Sequence, residues 1–222
     1  MQPDFLWMLG GSVALGAVVW WQNGRRRGAM TAVATRLGLT YKEQANTDAF
    51  RTLLALRAIA DVPILSRGFR QWSTNEMAGQ RGGRELRLFD FHYSLRAKGV
   101  GAPGLTVVLV PGAGAGLPDF ALAPATAFDK LGEAFGSRDI DFPTHPEFSR
   151  QYLLRGADEP AIRRAFGPRA LELFSRERDW RVEVANGHLA AWRATKPISP
   201  SEVPELVDGT LRIVAMLAPS AP

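Results

Sequence analysis

The feature that most constrains this chain is an uncharged run of seventeen residues near its start, Phe5 to Trp21. The run reads FLWMLGGSVALGAVVWW and is followed at once by QNGRRRG. As a helix it would be about 25 Å long, which suffices for the apolar core of a bilayer if Gln22 and Asn23 lie in the headgroup layer. Because no polar stripe interrupts the run, a helix of a soluble core fits it poorly. The run therefore predicts a transmembrane anchor.

A cleaved secretion signal is the competing interpretation of this segment. Such signals carry positive charge before the apolar run and small residues at a cleavage site after it. Here the front is MQPD, without lysine or arginine, and the back is WWQNGRRR. Positive flanks stay in the cytoplasm, so we expect a single-pass protein of the bacterial inner membrane with its N-terminus outside and its C-terminal domain in the cytoplasm. The residues expected at the two membrane interfaces are Trp7, Trp20, Trp21, Arg25, Arg26 and Arg27.

The middle of the apolar run is rich in small residues. Gly10 and Ala14 are four residues apart, and so are Ser12 and Gly16. Small side chains at this spacing let a second helix approach closely, and packing drives helix association in lipid. Glycine and alanine are also common in membrane helices generally. The predicted helix-packing surface consists of Gly10, Ser12, Ala14, Gly16 and Ala17.

The rest of the chain has the composition of a globular domain without cysteine. The whole chain has 222 residues, of which 46% are hydrophobic and 22% are charged, and this is enough for one sizeable domain or two small ones. The lack of cysteine excludes disulfides, thiolate metal sites and a cysteine nucleophile. The net charge of +5 comes mostly from arginine. It suits anionic lipid or an acidic protein face, or it is spread over solvated faces.

Helix and strand patterns follow one another without strict alternation after the arginines, which predicts an α+β domain with a mostly antiparallel sheet and packed helices. Helices are predicted over 28–37, with Gly38 as C-cap, and over 47–60, 158–166, 168–177 and 199–218, the last opened by Ser201. Strands are predicted over 39–43, 63–69, 75–95, 105–110, 117–124, 149–156 and 180–194.

Two hairpins are expected within these strands. One turns at Arg81-Gly82-Gly83, and the other turns at Asn186-Gly187, a pair that suits a type I′ turn. The second turn would place Val182 and Val184 on one face with Leu189 and Ala191. The predicted organisation is an anchor with its arginines over residues 1–28 and a cytoplasmic α+β domain over 29–222. Each of the segments 29–118 and 119–222 holds a hairpin and helices, which leaves two similar halves open.

A glycine-rich segment, Gly112 to Gly116, follows the predicted strand 105–110 as a phosphate-binding turn would. That turn needs a helix N-terminus directly behind it to supply amide donors. Here the final glycine spacing is wrong and a strand pattern follows. The segment therefore predicts a flexible connection between strands, and nucleotide binding is not expected.

The loop RDIDFPTHPEFSR groups carboxylates with an imidazole, which are ligands that a divalent cation accepts. Its weak metal candidates are Asp139, Asp141, His145 and Glu147. The spacing matches no calcium loop, and neither an HExxH nor an HxH core is present. The alternative, which we favour, is that these acids cap backbone amides or pair with neighbouring arginines.

Other signs of chemistry are sparse. His92 alternates with Asp90 on one strand face, which suits acid–base chemistry or, more simply, a polar outer face. The other face of that strand carries Phe89, Phe91 and Tyr93 near arginines, as a nucleic-acid-binding strand would, but these aromatics more simply form core. No GxSxG elbow is present. We therefore assign no catalytic residue, no cofactor and no nucleic-acid partner.

Three motifs resemble a family of uncharacterised bacterial proteins, over most of residues 30–218. The motifs are LRLFDFHY (Leu86 to Tyr93), DIDFPTHPEFS (Asp139 to Ser149), and YLLRG (Tyr152 to Gly156) followed by Glu159. The resemblance implies an N-terminal hydrophobic segment joined to an α+β domain, with no known activity and no catalytic residues to carry over. The glycines of 112–116 depart from the charged turn expected there.

We expect a non-catalytic accessory or structural subunit that docks its cytoplasmic domain on a larger membrane protein complex, for example a respiratory or photosynthetic assembly. Its partners would be that complex and the lipid bilayer. The alternatives are a membrane-tethered enzyme or metal-dependent sensor that uses the Asp139–Glu147 loop, and a domain that binds anionic lipid through its basic face.

Overall fold

The computed structural model describes residues 24–44, 62–66, 71–94, 104–127 and 138–217. The predicted anchor, with its small-residue surface from Gly10 to Ala17 and the tryptophans Trp7, Trp20 and Trp21, lies outside these residues, and so does the predicted helix over 47–60. Within the described ranges, no helix combines the length and the apolar character that a membrane crossing requires.

The described residues form five α-helices and eight β-strands. The helices are α1 (24–37), α2 (Pro146–Gln151), α3 (Glu159–Ala165), α4 (Pro168–Arg176) and α5 (Val203–Leu217). The strands are β1 (Thr40–Gln44), β2 (Gln71–Arg81), β3 (Arg84–Tyr93), β4 (Gly104–Val110), β5 (Phe120–Pro124), β6 (Tyr152–Arg155), β7 (Arg181–Ala185) and β8 (His188–Trp192). Short 3-10 turns cover Pro63–Ser66, Ala125–Ala127 and Pro200–Glu202.

All eight strands join in one sheet with the order β1-β2-β3-β4-β8-β7-β5-β6, and every pairing is antiparallel. The predicted α+β class with an antiparallel sheet is confirmed. The first four strands form one side of the sheet and the last four form the other. The two sides meet where β4 pairs with β8, with Val108 opposite Ala191. Internal duplication of the two halves remains a prediction.

The sheet separates a large core from a small one. Residues from all five helices pack with one strand face, which includes Leu88, Val108 and Val184. The other face carries Phe89, Phe91 and Tyr93 among its buried residues, together with Ile64 and Leu65 from the first 3-10 turn. The expectation that the aromatics of β3 form core is confirmed, because all three are at most 7% exposed.

The hairpins match the sequence prediction closely. In the β2–β3 turn Gly82 and Gly83 both have positive φ, as do Asn186 and Gly187 in the β7–β8 turn. Because the Asn-Gly pair determines the turn, it also determines the register of the strands. The observed pairs are Val182 with Ala191 and Val184 with Leu189, so the four residues share one face of the hairpin, as predicted.

Two strand predictions are wrong in part. The pattern at 63–69 predicted a strand, but Pro63–Ser66 is a 3-10 turn in which consecutive Ile64 and Leu65 are both buried. The backbone N–H of Ile64 donates to the Glu183 carboxylate at 2.7 Å instead of to a neighbouring strand. Likewise the first part of 149–156 belongs to α2, because Pro146 begins a helix there and Phe148 packs into the core.

The opening of α5 also differs from the prediction. The residue that caps the first turn is Ser199 rather than Ser201. Ser199 and Glu202 form a reciprocal capping box, in which the Ser199 N–H donates to the Glu202 carboxylate at 2.8 Å. The 3-10 turn Pro200–Glu202 then leads directly into α5.

Candidate functional site at one end of the sheet

The two ends of the sheet differ, because helix α1 begins at one end and runs towards the other. We call the end where β3 reaches Tyr93 and β4 begins the His92 end, and the end with the β2–β3 turn the Gly82 end. Helix α1 starts near Asp90, and Leu39, just beyond its last turn, lies beside Gly79. The described chain therefore begins at the His92 end and runs towards the Gly82 end.

Helix α1 stops at a defined point because Gly38 has a φ of +70°. The N–H groups of Gly38 and Leu39 donate to the carbonyls of Thr35 and Ala34 at 3.1 and 2.9 Å. This pair of bonds is a Schellman motif, which glycine completes without steric cost. The prediction of Gly38 as the C-cap residue is confirmed.

The centre of the candidate site is a buried ion pair between α1 and β3. The Arg26 guanidinium donates to the Asp90 carboxylate, with Nη2 2.9 Å from Oδ2. The Asp90 side chain is 2% exposed and that of Arg26 is 24% exposed. A charge this deeply buried is tolerated because it is paired and hydrogen-bonded.

Two further donors complete the environment of Asp90. Asn75 Nδ2 on β2 donates to Oδ2 at 2.8 Å, and the Thr106 hydroxyl on β4 donates to Oδ1 at 2.6 Å. The Tyr41 hydroxyl on β1 donates in turn to Asn75 Oδ1 at 2.8 Å. Burial of its ring raises the pKa of Tyr41, and the neighbouring Glu43 adds to this effect. The cluster thus connects the first four strands to α1.

The segment before α5 joins the same cluster through its backbone. Arg26 Nη1 donates to the Ile198 carbonyl at 2.7 Å, and the Ile198 N–H donates to Thr106 Oγ1 at 3.1 Å. The start of the described chain is therefore held against a segment 172 residues further on. We call Arg26, Tyr41, Asn75, Asp90 and Thr106 the Asp90 cluster.

A β-bulge in β2 brings Asn75 into this cluster. The register shifts between Thr74 and Met77, so Asn75 and Glu76 together face one residue of β3. Asn75 adopts a φ of +53°, a conformation that asparagine tolerates better than most residues. The extra residue turns the amide towards Asp90.

The arginines predicted at the membrane interface have partners within the domain. Arg26 lies in the Asp90 cluster, and Arg27 pairs with Glu43 at 2.7 Å. The Arg27 and Glu43 side chains are 44% and 49% exposed, so this pair contributes little to stability. Placement of Arg25, Arg26 and Arg27 at a bilayer remains a prediction.

An exposed aromatic side chain lies at the same end of the sheet. Trp72 on β2 is 41% exposed and stacks on His92, with ring centroids 5.3 Å apart. His92 Nε2 lies 3.0 Å from Thr74 Oγ1. Burial lowers the pKa of His92, although Asp90 acts in the opposite direction. The neutral imidazole is therefore the favoured form at neutral pH.

The space for His92 depends on Gly104. A Cβ atom at position 104 would lie 2.7 Å from His92 Nδ1 and 3.3 Å from Pro197 Cγ. Only glycine lets β4 begin this close to the imidazole. His92 and Pro197 consequently both lie close to the buried backbone of Gly104.

A groove of about 440 Å³ lies between the segment that follows β8 and the start of α5, and both acidic and basic side chains line it. Arg193 is one of its lining residues, and its guanidinium lies 4.9 Å from the Trp180 ring centroid with Nη1 2.7 Å from Glu205 Oε1. Lys196 is an exposed residue of the lining. Because several of the charges compensate one another, the groove shows no strong preference for an anion or a cation.

The acidic loop serves the backbone. Asp139 Oδ1 accepts the N–H groups of Ile140 and Leu154 at 3.1 and 2.7 Å, while burial raises the pKa of Asp139. The capping alternative is thus observed for this residue. The remaining candidates have other contacts. Glu147 pairs with Arg150, and His145 Nδ1 lies 3.0 Å from the Thr144 hydroxyl. The backbone carbonyl of Asp141 accepts a hydrogen bond from Arg163. Across the part of the chain that the structure describes, no three His, Asp or Glu residues are grouped as metal ligands.

Sequence reasoning missed the role of Asp90. The polar-outer-face interpretation is wrong for it, since the residue is 1% exposed. A usable signal was present, because Leu86 and Leu88 share its strand face and both are fully buried. A carboxylate continuing an apolar strand face requires a cation, and the opening turn of α1 supplies Arg26.

No protein-family model and no curated protein matches this chain. Among solved structures it is similar to the crystal structure of the mycobacterial trehalose monomycolate transport factor A, TtfA. The TM-score is 0.54 at 15% sequence identity, and the match covers 90% of this chain and 97% of that chain. At this identity the similarity establishes a shared fold.

Proposed function

We propose that this protein is a non-catalytic accessory subunit of a bacterial membrane assembly, anchored by residues 5–21 and carrying its α+β domain on the cytoplasmic side. The similarity to a transport factor directs the proposal towards an assembly that moves a substrate across or along the membrane. The resemblance to uncharacterised membrane-anchored bacterial proteins, through the motifs of β3 and the acidic loop, is consistent with this role.

The observation that carries the proposal is the Asp90 cluster. An accessory domain has to be held in a defined orientation to its anchor. Here the apolar run ends at Trp21, and α1 is fixed to the sheet by Arg26. An anchor followed closely by a helix that is bound to the sheet restrains the orientation of the domain relative to the membrane more strongly than a flexible linker would. The Asp90 cluster therefore suits a rigid adaptor.

The first test is extraction of the full chain from bacterial membranes. We expect the protein to resist alkaline carbonate and high salt and to require detergent, because the anchor would be integral. A variant lacking residues 1–23 is the control and should be released. Recovery of the full chain in the carbonate wash would contradict the anchor.

The second test is co-purification after mild detergent extraction. The wild-type chain should elute with a membrane protein at a fixed stoichiometry. Replacing Gly10 and Ala14 together by leucine should abolish the association and leave the anchor in place, because bulky side chains prevent close helix approach. The matched control replaces Val13 and Val18 by leucine, which changes volume at larger side chains of the same run. A monomer without a partner would overturn the accessory role.

A further inference from the structure

We propose that Trp72, His92 and Lys196 form a surface that rests in the phospholipid headgroup layer and sets the distance of the domain from the bilayer. This inference depends on the proposed membrane anchor and adds the contact through which the domain meets lipid. We call these three residues the bilayer-facing surface.

The position of this surface follows from the strand register. Trp72 is paired with His92, and His92 is paired with Gly104 at the start of β4. All three therefore lie at the His92 end, where α1 begins. From Trp21, the last residue of the apolar run, to residue 24 the chain can extend about 11 Å at most. The domain end that carries Trp72 must therefore lie close to any bilayer that holds the run.

Lys196 belongs to this surface through its chain neighbour. Pro197 Cγ lies beside the position where a Gly104 side chain would project, next to the His92 ring. Lys196 precedes Pro197 and is exposed. An exposed cationic side chain therefore lies at the same end of the sheet as the exposed indole of Trp72.

The chemistry of these side chains matches the headgroup layer. An indole has an apolar ring and one N–H donor, which is why tryptophan is enriched at membrane interfaces. A lysine near the surface interacts favourably with lipid phosphate groups. The acidic neighbours on the groove side have contacts of their own, since Glu205 pairs with Arg193 and Glu202 accepts from the Ser199 N–H.

The Gly82 end provides a matched reference. Met216 is 39% exposed, close to the 41% of Trp72, and these are the large hydrophobic residues found exposed in the described ranges. Helix α5 starts near Ile198 and passes Arg81 and Gly82, which contact Asp208 and Leu211. Met216 follows beyond these contacts. An exposed apolar residue at each end allows one to be compared with the other.

The experiment places a single nitroxide probe on the full chain, which contains no native cysteine. The variants are Trp72→Cys, Lys196→Cys and the reference Met216→Cys. Lys196→Cys keeps the Trp72–His92 stack intact, so it reports on the surface even if Trp72→Cys disturbs the fold. Each labelled protein is reconstituted into vesicles of phosphatidylethanolamine and phosphatidylglycerol. Power saturation then compares access of oxygen, which concentrates in lipid, with access of a nickel chelate, which stays in water.

We expect the ratio of oxygen access to nickel access to be several-fold higher at positions 72 and 196 than at 216. Equal ratios at all three positions, in a chain that still resists carbonate extraction, would overturn this inference and leave the anchor intact. Low access of both reagents at 72 and 196 would mean that protein covers the surface, and would also overturn it. If the chain fails to resist carbonate extraction, the proposed function itself fails.

Discussion

At the scale of single residues, Asp90 matters most because α1 and several strands meet at its carboxylate. Replacing Arg26 by alanine would leave this buried charge without its cation. We expect the free energy of unfolding to fall by about 3 kcal/mol, because removing one partner of a buried pair exposes the cost of burying the other. The measurement is a urea titration of the full chain in a mild detergent.

The neighbouring arginine supplies the control for this prediction. Arg27→Ala breaks the exposed pair with Glu43 and should change the free energy of unfolding by less than about 1 kcal/mol. Asp90→Asn together with Arg26→Ala should recover part of the loss, since no buried charge then remains. Equal effects of Arg26→Ala and Arg27→Ala would contradict the assigned role of the Asp90 cluster.

Tyr152 provides a prediction about pH. Its hydroxyl donates to the Glu177 carbonyl at 2.6 Å, and burial raises the pKa of Tyr152 to about 12. In the unfolded chain the phenol loses its proton near pH 10. The folded state therefore holds a proton that the unfolded state releases, so this contribution to stability is complete below pH 10 and is lost between about pH 10 and 12. The loss amounts to about 2 to 3 kcal/mol.

The corresponding measurement compares wild type with Tyr152→Phe in urea titrations from pH 9 to 12. The variant lacks the titrating group, so its stability should fall less steeply over that interval. A parallel pH dependence of the two proteins would show that Tyr152 ionises as easily in the folded state as in the unfolded state.

At the scale of elements, Gly209 in the middle of α5 contradicts helix propensity for a reason that the packing supplies. A Cβ atom there would lie 2.5 Å from Cζ2 of the buried Trp180 ring, which is closer than non-bonded carbon atoms approach. We expect Gly209→Ala to destabilise the protein by about 1 to 3 kcal/mol through overpacking, despite the better propensity of alanine. Thermal unfolding in detergent measures the change.

Gly28 in α1 is the matched control. It is helical and exposed, and a Cβ atom there would have nothing within 4 Å. Gly28→Ala should raise the free energy of unfolding by about 0.5 to 1 kcal/mol, since propensity alone acts. Stabilisation by both substitutions would mean that Trp180 moves aside without cost.

Elements with a local cause were predictable from the sequence. Asn186-Gly187 determines a turn and through it a register. The predicted helix over 158–166 corresponds to α3, and Asp158 caps it by accepting the Ala161 N–H. The 3-10 turn at Pro63–Ser66 was not predictable, because its conformation depends on Glu183, far away in sequence. The role of Asp90 required knowledge of which strand face α1 covers.

At the scale of the whole molecule, the order of the strands in the sheet could not be predicted from the sequence patterns. Adjacent hairpins follow from turns, but the pairing of β4 with β8 joins segments that no local signal connects. The seven residues of β4 are all buried, which is consistent with its apolar run VVLV. No sequence pattern indicated which strands pair with β4. The site at the His92 end could not be predicted for the same reason, because Arg26 and Thr106 contact Ile198 only when both sides of the sheet are joined.

Truncation tests this dependence. A chain that ends after Ala185 lacks β8 and α5, so β4 keeps only β3 as a partner and the α5 residues of the large core are absent. We expect such a chain to aggregate or to be degraded in cells. A chain that ends after Leu217 removes only residues outside the described range and should accumulate normally. Equal accumulation of both chains would contradict the central role of the β4–β8 pairing.

The β4–β8 pairing also has a consequence for biosynthesis. Translation proceeds at about 5–20 residues per second, so β4 waits roughly 4 to 16 s before the ribosome has made β8. During that interval an apolar strand edge has no native partner in the nascent chain. If the anchor is already inserted, this half-built sheet is held at the membrane surface at high local concentration, where neighbouring nascent chains can pair with it. Protection of that edge by a chaperone, or slow initiation that spaces ribosomes apart, would be the cellular requirement for a good yield.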